Sequence, residues 1–157
     1  MSLEPFETAE AHETPNVRQL STFLDNRVGQ LLRLTRAFEG TSIRILALTI
    51  ISSVDCAIVR ILVDDVDEAE RILRGEGFAV STAELLVVQM PPGHTGLLTI
   101  CSALLAAEVN IHYAYPLLDR PNGRPALALL VDDVEMSANI LRDKKFTVLD
   151  ESDLAGS

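Results

Sequence analysis

Histidine occurs three times in this 157-residue chain, at His12, His94 and His112, and cysteine twice, at Cys56 and Cys101. No Cys-x-x-Cys or His-x-x-x-His spacing links them, so no metal site is expected. Both cysteines lie inside apolar runs and read as small buried side chains. The chain has no Gly-x-Ser-x-Gly elbow, no Walker phosphate loop and no Gly-x-Gly-x-x-Gly turn. Two carboxylate pairs, Asp64-Asp65 and Asp132-Asp133, could in principle exchange protons. Both stand at the start of a helical pattern, so they are expected to cap helices instead. No catalytic set and no cofactor motif emerges, and the chain does not read as an enzyme. Binding chemistry remains. Gly29 and Gly96 each precede or open a helical stretch, where free backbone N–H groups and a partial positive charge suit a carboxylate. Asn26 could hydrogen-bond a ligand's amino or carboxylate group, or simply make an Asx turn.

The elements around these residues are written twice. Residues 63–80 match residues 131–148 without a gap, and Val63, Asp64, Asp65, Val66, Ile72, Leu73, Arg74, Phe78 and Val80 recur identically at a shift of 68. Such self-similarity marks a duplicated structural unit. Upstream, Ser42-Ile43-Arg44-Ile45 aligns with Asn110-Ile111-His112-Tyr113 at the same shift, and Gly29-Gln30-Leu31 with Gly96-Leu97-Leu98 at 67. One extra residue is therefore expected in the loop after the first helix of copy two. In copy one, residues 17–24 read as a strand and 25–29 as a turn-rich loop. A helix follows with Leu31, Leu34 and Phe38 on its buried face, for which Leu98, Cys101 and Leu105 stand in copy two. Two β-branched runs, a second helix buried through Val66, Ala69 and Leu73, and a short strand complete the unit.

This strand-helix-strand-strand-helix-strand order is the ferredoxin-like split βαβ arrangement. The expected fold class is α+β: two βαββαβ modules, each an antiparallel sheet with helices on one face. The expected organisation is an acidic N-terminal tail over 1–16, module one over 17–83, module two over 84–149 and an acidic C-terminal tail over 150–157. The strands are apolar on both parities, as in Ile43, Ile45, Ala47 and Ile51 against Leu46, Leu48 and Ile50. An exposed sheet face would alternate more cleanly. The face without helices is therefore expected to be covered, by another subunit.

Composition narrows the partners. A net charge of -10 leaves no basic face for nucleic acid or for an anionic membrane surface. No apolar stretch approaches the roughly 20 residues of a membrane span. The acidic N-terminus has no signal-peptide pattern, and a cytoplasmic protein is expected.

The first strand–helix loops carry a resemblance. Leu24-Asp25-Asn26-Arg27-Val28-Gly29-Gln30-Leu31, followed by a helix and Ser42-Ile43-Arg44-Ile45, resembles the ACT domain, with its Asn-x-Pro-Gly-x-Leu-like turn and Val-Asn-Ile-like strand start. Asn26 and Gly29 match the turn, while Val28 stands where Pro is common. Copy two keeps Gly96-Leu97, lacks the Asn, and matches the strand start at Val109-Asn110-Ile111. The likeness spans about residues 17–149 and is similar to chains made only of two such modules.

The resemblance implies an allosteric sensor that binds a free amino acid or similar small effector, forms a homodimer and regulates a metabolic enzyme. A ligand-free dimerisation or protein-interaction module is the alternative. In the family the effector sits between one module's first loop and the neighbour's second strand. That implies a better-formed composite site from Asn26, Arg27, Val28, Gly29, Gln30 and Leu31 with Asn110, His112 and Tyr113. A reciprocal site would draw on His94, Thr95, Gly96 and Leu97 with Ser42, Arg44 and Ile45. His112 and Tyr113 are adjacent on a strand and point opposite ways, so only one of them can reach a given ligand.

Overall fold

The computed structural model describes residues 17–25 and 27–156. The acidic segment 1–16, with His12, lies outside these residues, as does Asn26. The first module comprises β1 (Val17–Asp25), α1 (Gln30–Arg36), β2 (Ile45–Ser52), β3 (Cys56–Val63), α2 (Val66–Gly75) and the first half of β4 (Val80–Gln89). The second comprises the rest of β4, α3 (Gly96–Ala106), β5 (Ile111–Pro116), β6 (Ala126–Val131), α4 (Val134–Asp143) and β7 (Val148–Leu149). A short helix α5 (Glu151–Ala155) ends the described chain. Each module is ferredoxin-like, and all the strand pairs are antiparallel.

The strand order is β2-β3-β1-β4-β6-β5, with β7 also beside β4. The place where the sequence divides the modules, between residues 83 and 84, falls inside β4. This strand is shared. Its first half pairs with β1, Val80 opposite Thr22, and its second half pairs with β6, Leu86 opposite Leu129.

Helices α2 and α4 begin as their carboxylates require. The Asp65 side chain accepts from the Glu68 N–H at 3.2 Å, and that of Asp133 from the Met136 N–H at 2.9 Å. Acidic residues in the first turn of each add favourable charge at the positive end of the helix.

Burial divides into three clusters. One, around Leu20, Leu34, Ile61 and Leu73, lies between the first half-sheet and its helices. Another, around Leu86, Ile100, Leu104 and Leu141, does the same in the second module. The third takes Val17, Leu46, Ala47 and Leu62 from module one and Tyr115, Leu117, Ala126 and Ala128 from module two. The helix-free faces of the two half-sheets therefore pack on each other, with helices outermost on both sides. The expectation that another subunit covers this face is corrected: the sister module does so, because the shared strand β4 carries the chain from one half-sheet into the other. Phe23 and Ile51 lie at the far end of the first half-sheet and stay exposed.

The C-terminal acidic segment is not a tail. Asp150 and Asp153 form a reciprocal capping box that opens α5, and Leu154 is buried in the inter-module cluster. The Ser152 hydroxyl and the Asp153 N–H hold the Asp150 carboxyl below its ordinary range. Arg18 on β1 joins α5 to α2, through Glu151 at 2.8 Å and Asp67 at 2.7 Å.

Two further expectations change. The buried face of α3 is Ile100, Ala103 and Leu104, whereas Leu98 is 67% exposed and Leu105 is 75% exposed. Cys56 is exposed and Cys101 half-buried, so neither is a core residue. The repeat offset explains the first point. The Arg44 N–H reaches the Asp64 carboxylate at 2.8 Å, and the Asn110 N–H reaches Asp132 at 3.2 Å. Arg44 is thus the counterpart of Asn110, an offset of 66 upstream against 68 downstream. The two additional residues of copy two lie in the β5–β6 hairpin, and none lies after the first helix.

Candidate functional site

In module two the loop after β4 and the β5–β6 hairpin line an open cleft. Met90, Pro91, Pro92 and Gly93 line one side and Arg124 and Pro125 the other, around about 440 Å³. Local chemistry fixes both walls. The Met90 N–H donates to the Pro125 carbonyl at 2.8 Å, tying loop to hairpin. Within the hairpin, Pro121, Asn122 and Gly123 make a tight 3-10 turn. Asn122 (φ 56) and Gly123 (φ 74) take left-handed backbone, which these two residue types tolerate best. Buried Gln89 donates to the Pro121 carbonyl at 3.1 Å and anchors the turn from below. Gly96, the first residue of α3, is buried against the Pro91 ring. A Cβ there would stand 2.9 Å from that ring, so the position demands glycine.

The loop before α1 is built differently. The Arg27 N–H donates to the Asp25 carbonyl at 2.7 Å, and the Gln30 N–H to that of Arg27 at 3.3 Å. Arg27 and Val28 are exposed, Gln30 is half-buried, and Leu31 lies at the exposed start of α1. Gly29 caps the helix with left-handed φ 87, while its counterpart in copy two is Thr95, with φ -103. A shallow groove of about 260 Å³ runs from Gly29 along Leu32, Arg33 and Arg36 to Glu76. Arg33 is committed there, donating to the Glu76 carbonyl at 3.0 Å and stacking 4.4 Å over Phe78.

The remaining sequence-singled residues divide. Asn110 and His112 come together on the Asp132 carboxylate, with His112 Nε2 at 2.6 Å from it, and both are exposed. Tyr113 points the other way, between the modules. Its hydroxyl accepts from Gln19 at 2.8 Å, the Arg60 guanidinium lies 4.0 Å over its ring, and Tyr115 stacks beside it. Among the described residues no hydrogen bond or ion pair joins residues 27–31 to Asn110, His112 or Tyr113. Arg44 reaches Asp119 of module two at 3.2 Å. Ser42 is exposed and Ile45 packs half-buried on the first core. His94, Thr95 and Leu97 are exposed beside the cleft. Sequence reasoning did not single out Met90, Arg124 and Pro125. The signal was the longer hairpin of copy two, concealed by the wrong offset.

A family model described as an ACT domain pair matches residues 15–156. The chain belongs to this ACT domain pair family. Its ACT pair is similar to the solved structure of protein BT0572 from Bacteroides thetaiotaomicron, at 28% identity over 90% of this chain and 96% of that one, with a TM-score of 0.82. It shares its fold with the ligand-free regulatory subunit of aspartate kinase from Thermus thermophilus, at 10% identity, 82% and 92% coverage and a TM-score of 0.58. It also shares its fold with aspartate kinase from Clostridium acetobutylicum, at 14% identity, 82% and 33% coverage and a TM-score of 0.51. No curated protein matches the sequence. Among the described residues of the ACT pair, no helix is long and apolar enough to cross a membrane.

Proposed function

We propose that this ACT pair is a non-catalytic allosteric sensor of a free amino acid or similar small effector, held by the loops that precede α1 and α3. One observation carries the reading: in an ACT pair, the loop before α3 and the β5–β6 hairpin line an open cleft of about 440 Å³. That volume lies within the ~300–1,000 Å³ usual for small-molecule sites. The reading extends to a cytoplasmic homodimer that acts on a metabolic enzyme, as the regulatory subunit of aspartate kinase does by its name. His112, held by Asp132, and Asn110, whose side-chain amide lies 3.4 Å from His112 Nδ1, are exposed at the start of β5 and are the residues offered to a loop of a second chain.

A thermal-shift screen against the twenty amino acids tests the effector role. A ligand at 100-fold its Kd stabilises by about 2.7 kcal/mol, well within measurement. A shift with one amino acid or a few supports the sensor. Twenty flat traces would count against an amino-acid effector, and flat traces with other small carboxylates as well would favour a ligand-free interaction module.

A further inference from the structure

The lining of the cleft of module two narrows the class of small effector it suits. Its walls are Met90, Pro91, Pro92 and Pro125, all apolar, joined by Gly93 and one cation, Arg124. The Arg124 guanidinium has no hydrogen-bond or ion-pair partner among the described residues, although the chain carries 23 acidic side chains. Among the described residues no carboxylate lines the cleft. The hairpin that delivers Arg124 is two residues longer than its counterpart in module one, where the turn 53–55 ends in an acid, Asp55.

We infer that this cleft binds a compact apolar carboxylate that needs no amino group. The inference rests on the effector reading above and names the chemistry of that site. Arg124 meets the carboxylate, a planar match that a guanidinium makes bidentately. Met90 and the three proline rings receive the apolar body, and burying that surface supplies affinity. An α-ammonium group would find no acidic side chain there among the described residues, and its desolvation would count against binding. In a chain of net charge -10, Arg124 supplies positive charge at this cleft.

Isothermal titration of the full chain tests this with three probes: 4-methylpentanoate, leucine and 4-methylpentanamide. The carboxylate is expected to bind at least as tightly as leucine, and the amide at least tenfold more weakly. Arg124→Met should weaken 4-methylpentanoate at least tenfold, while Arg120→Met, a cation of the same hairpin outside the cleft, should leave it unchanged. Gly96→Ala, which drives the Pro91 ring aside, should weaken it without removing a charge. Leucine binding with 4-methylpentanoate silent would overturn the inference and leave the effector reading standing. Equal binding by the Arg124→Met chain would overturn it in the same way. Silence from both acids overturns it too, and the twenty-amino-acid screen then judges the effector reading separately.

Discussion

At the scale of single residues, the most consequential polar group is Gln19. It is buried, it donates to Tyr113 at 2.8 Å, and it accepts from the Tyr115 hydroxyl at 2.7 Å. A buried amide deprived of one partner costs about 1–3 kcal/mol, so Tyr115→Phe should lower the urea-unfolding free energy by that amount. Burial pushes the Tyr115 phenol above its ordinary 10.0. A folded-state pKa raised above the unfolded one favours the protonated form in the native state. Its stabilisation is complete below about pH 10 and is lost as pH rises further. Urea unfolding at pH 8 and pH 11 should show this loss, and the loss should be smaller in Tyr115→Phe. Thr22 behaves in the opposite sense. Its hydroxyl is buried on the helix side of β1 and finds no hydrogen-bond partner among the described residues. Thr22→Val keeps the shape and removes the unsatisfied group, so it should stabilise the chain by about 1 kcal/mol, measured as a rise in the urea midpoint. None of these partners was legible in the sequence, because Gln19 and Tyr115 stand 96 residues apart. The two carboxylate caps were legible, because a cap is made within one turn of its own helix.

At the scale of elements, α3 shows where periodicity fails. Its eleven residues contain no charged side chain, so no polar face fixes the phase of the apolar one. Leu98, Cys101 and Leu105 fitted a buried stripe as well as Ile100 and Leu104 did. The hydrogen bonds of the helix ends decide it: Arg33 N–H to the Gly29 carbonyl matches Thr99 N–H to that of Thr95, an offset of 66. Paired substitutions check the assignment. Ile100→Ala should cost about 2–5 kcal/mol, as core truncations do, whereas Leu105→Gln should change the unfolding free energy by less than about 0.5 kcal/mol. The same offset error hid the longer hairpin. Identity fades through β2 and β5, the edge strands, so the alignment there had only Ile43-to-Ile45-like patterns to hold it. The strand-helix alternation and the second helices were legible because their cores recur residue for residue, whereas the fusion of the last strand of copy one with the first of copy two into β4 was not. The acidic residues at 150–153 read as a tail because charge suggested solvent, while the capping box that organises them needs only two side chains.

At the scale of the whole molecule, two modules share β4, bury their helix-free faces together and are pinned by Arg18 and Arg44. Apolar residues on both strand faces announced burial on both sides. They could not say what covers the second face, which depends on how the shared strand turns between half-sheets. Leu154 of α5 belongs to that shared core, so Leu154→Ala should cost about 2–5 kcal/mol and lower the melting of both modules together in one calorimetric transition. Two separated transitions would show instead that the modules unfold independently. An ACT pair built this way is expected to hold a small effector at the loops before its helices. Amide chemical-shift mapping of the whole chain during titration with the strongest small-molecule hit tests it most directly. Shifts concentrated at residues 90–95 and at Arg124, or at residues 27–31, are expected; shifts confined to surfaces away from both loops, or none at saturating ligand, would contradict it.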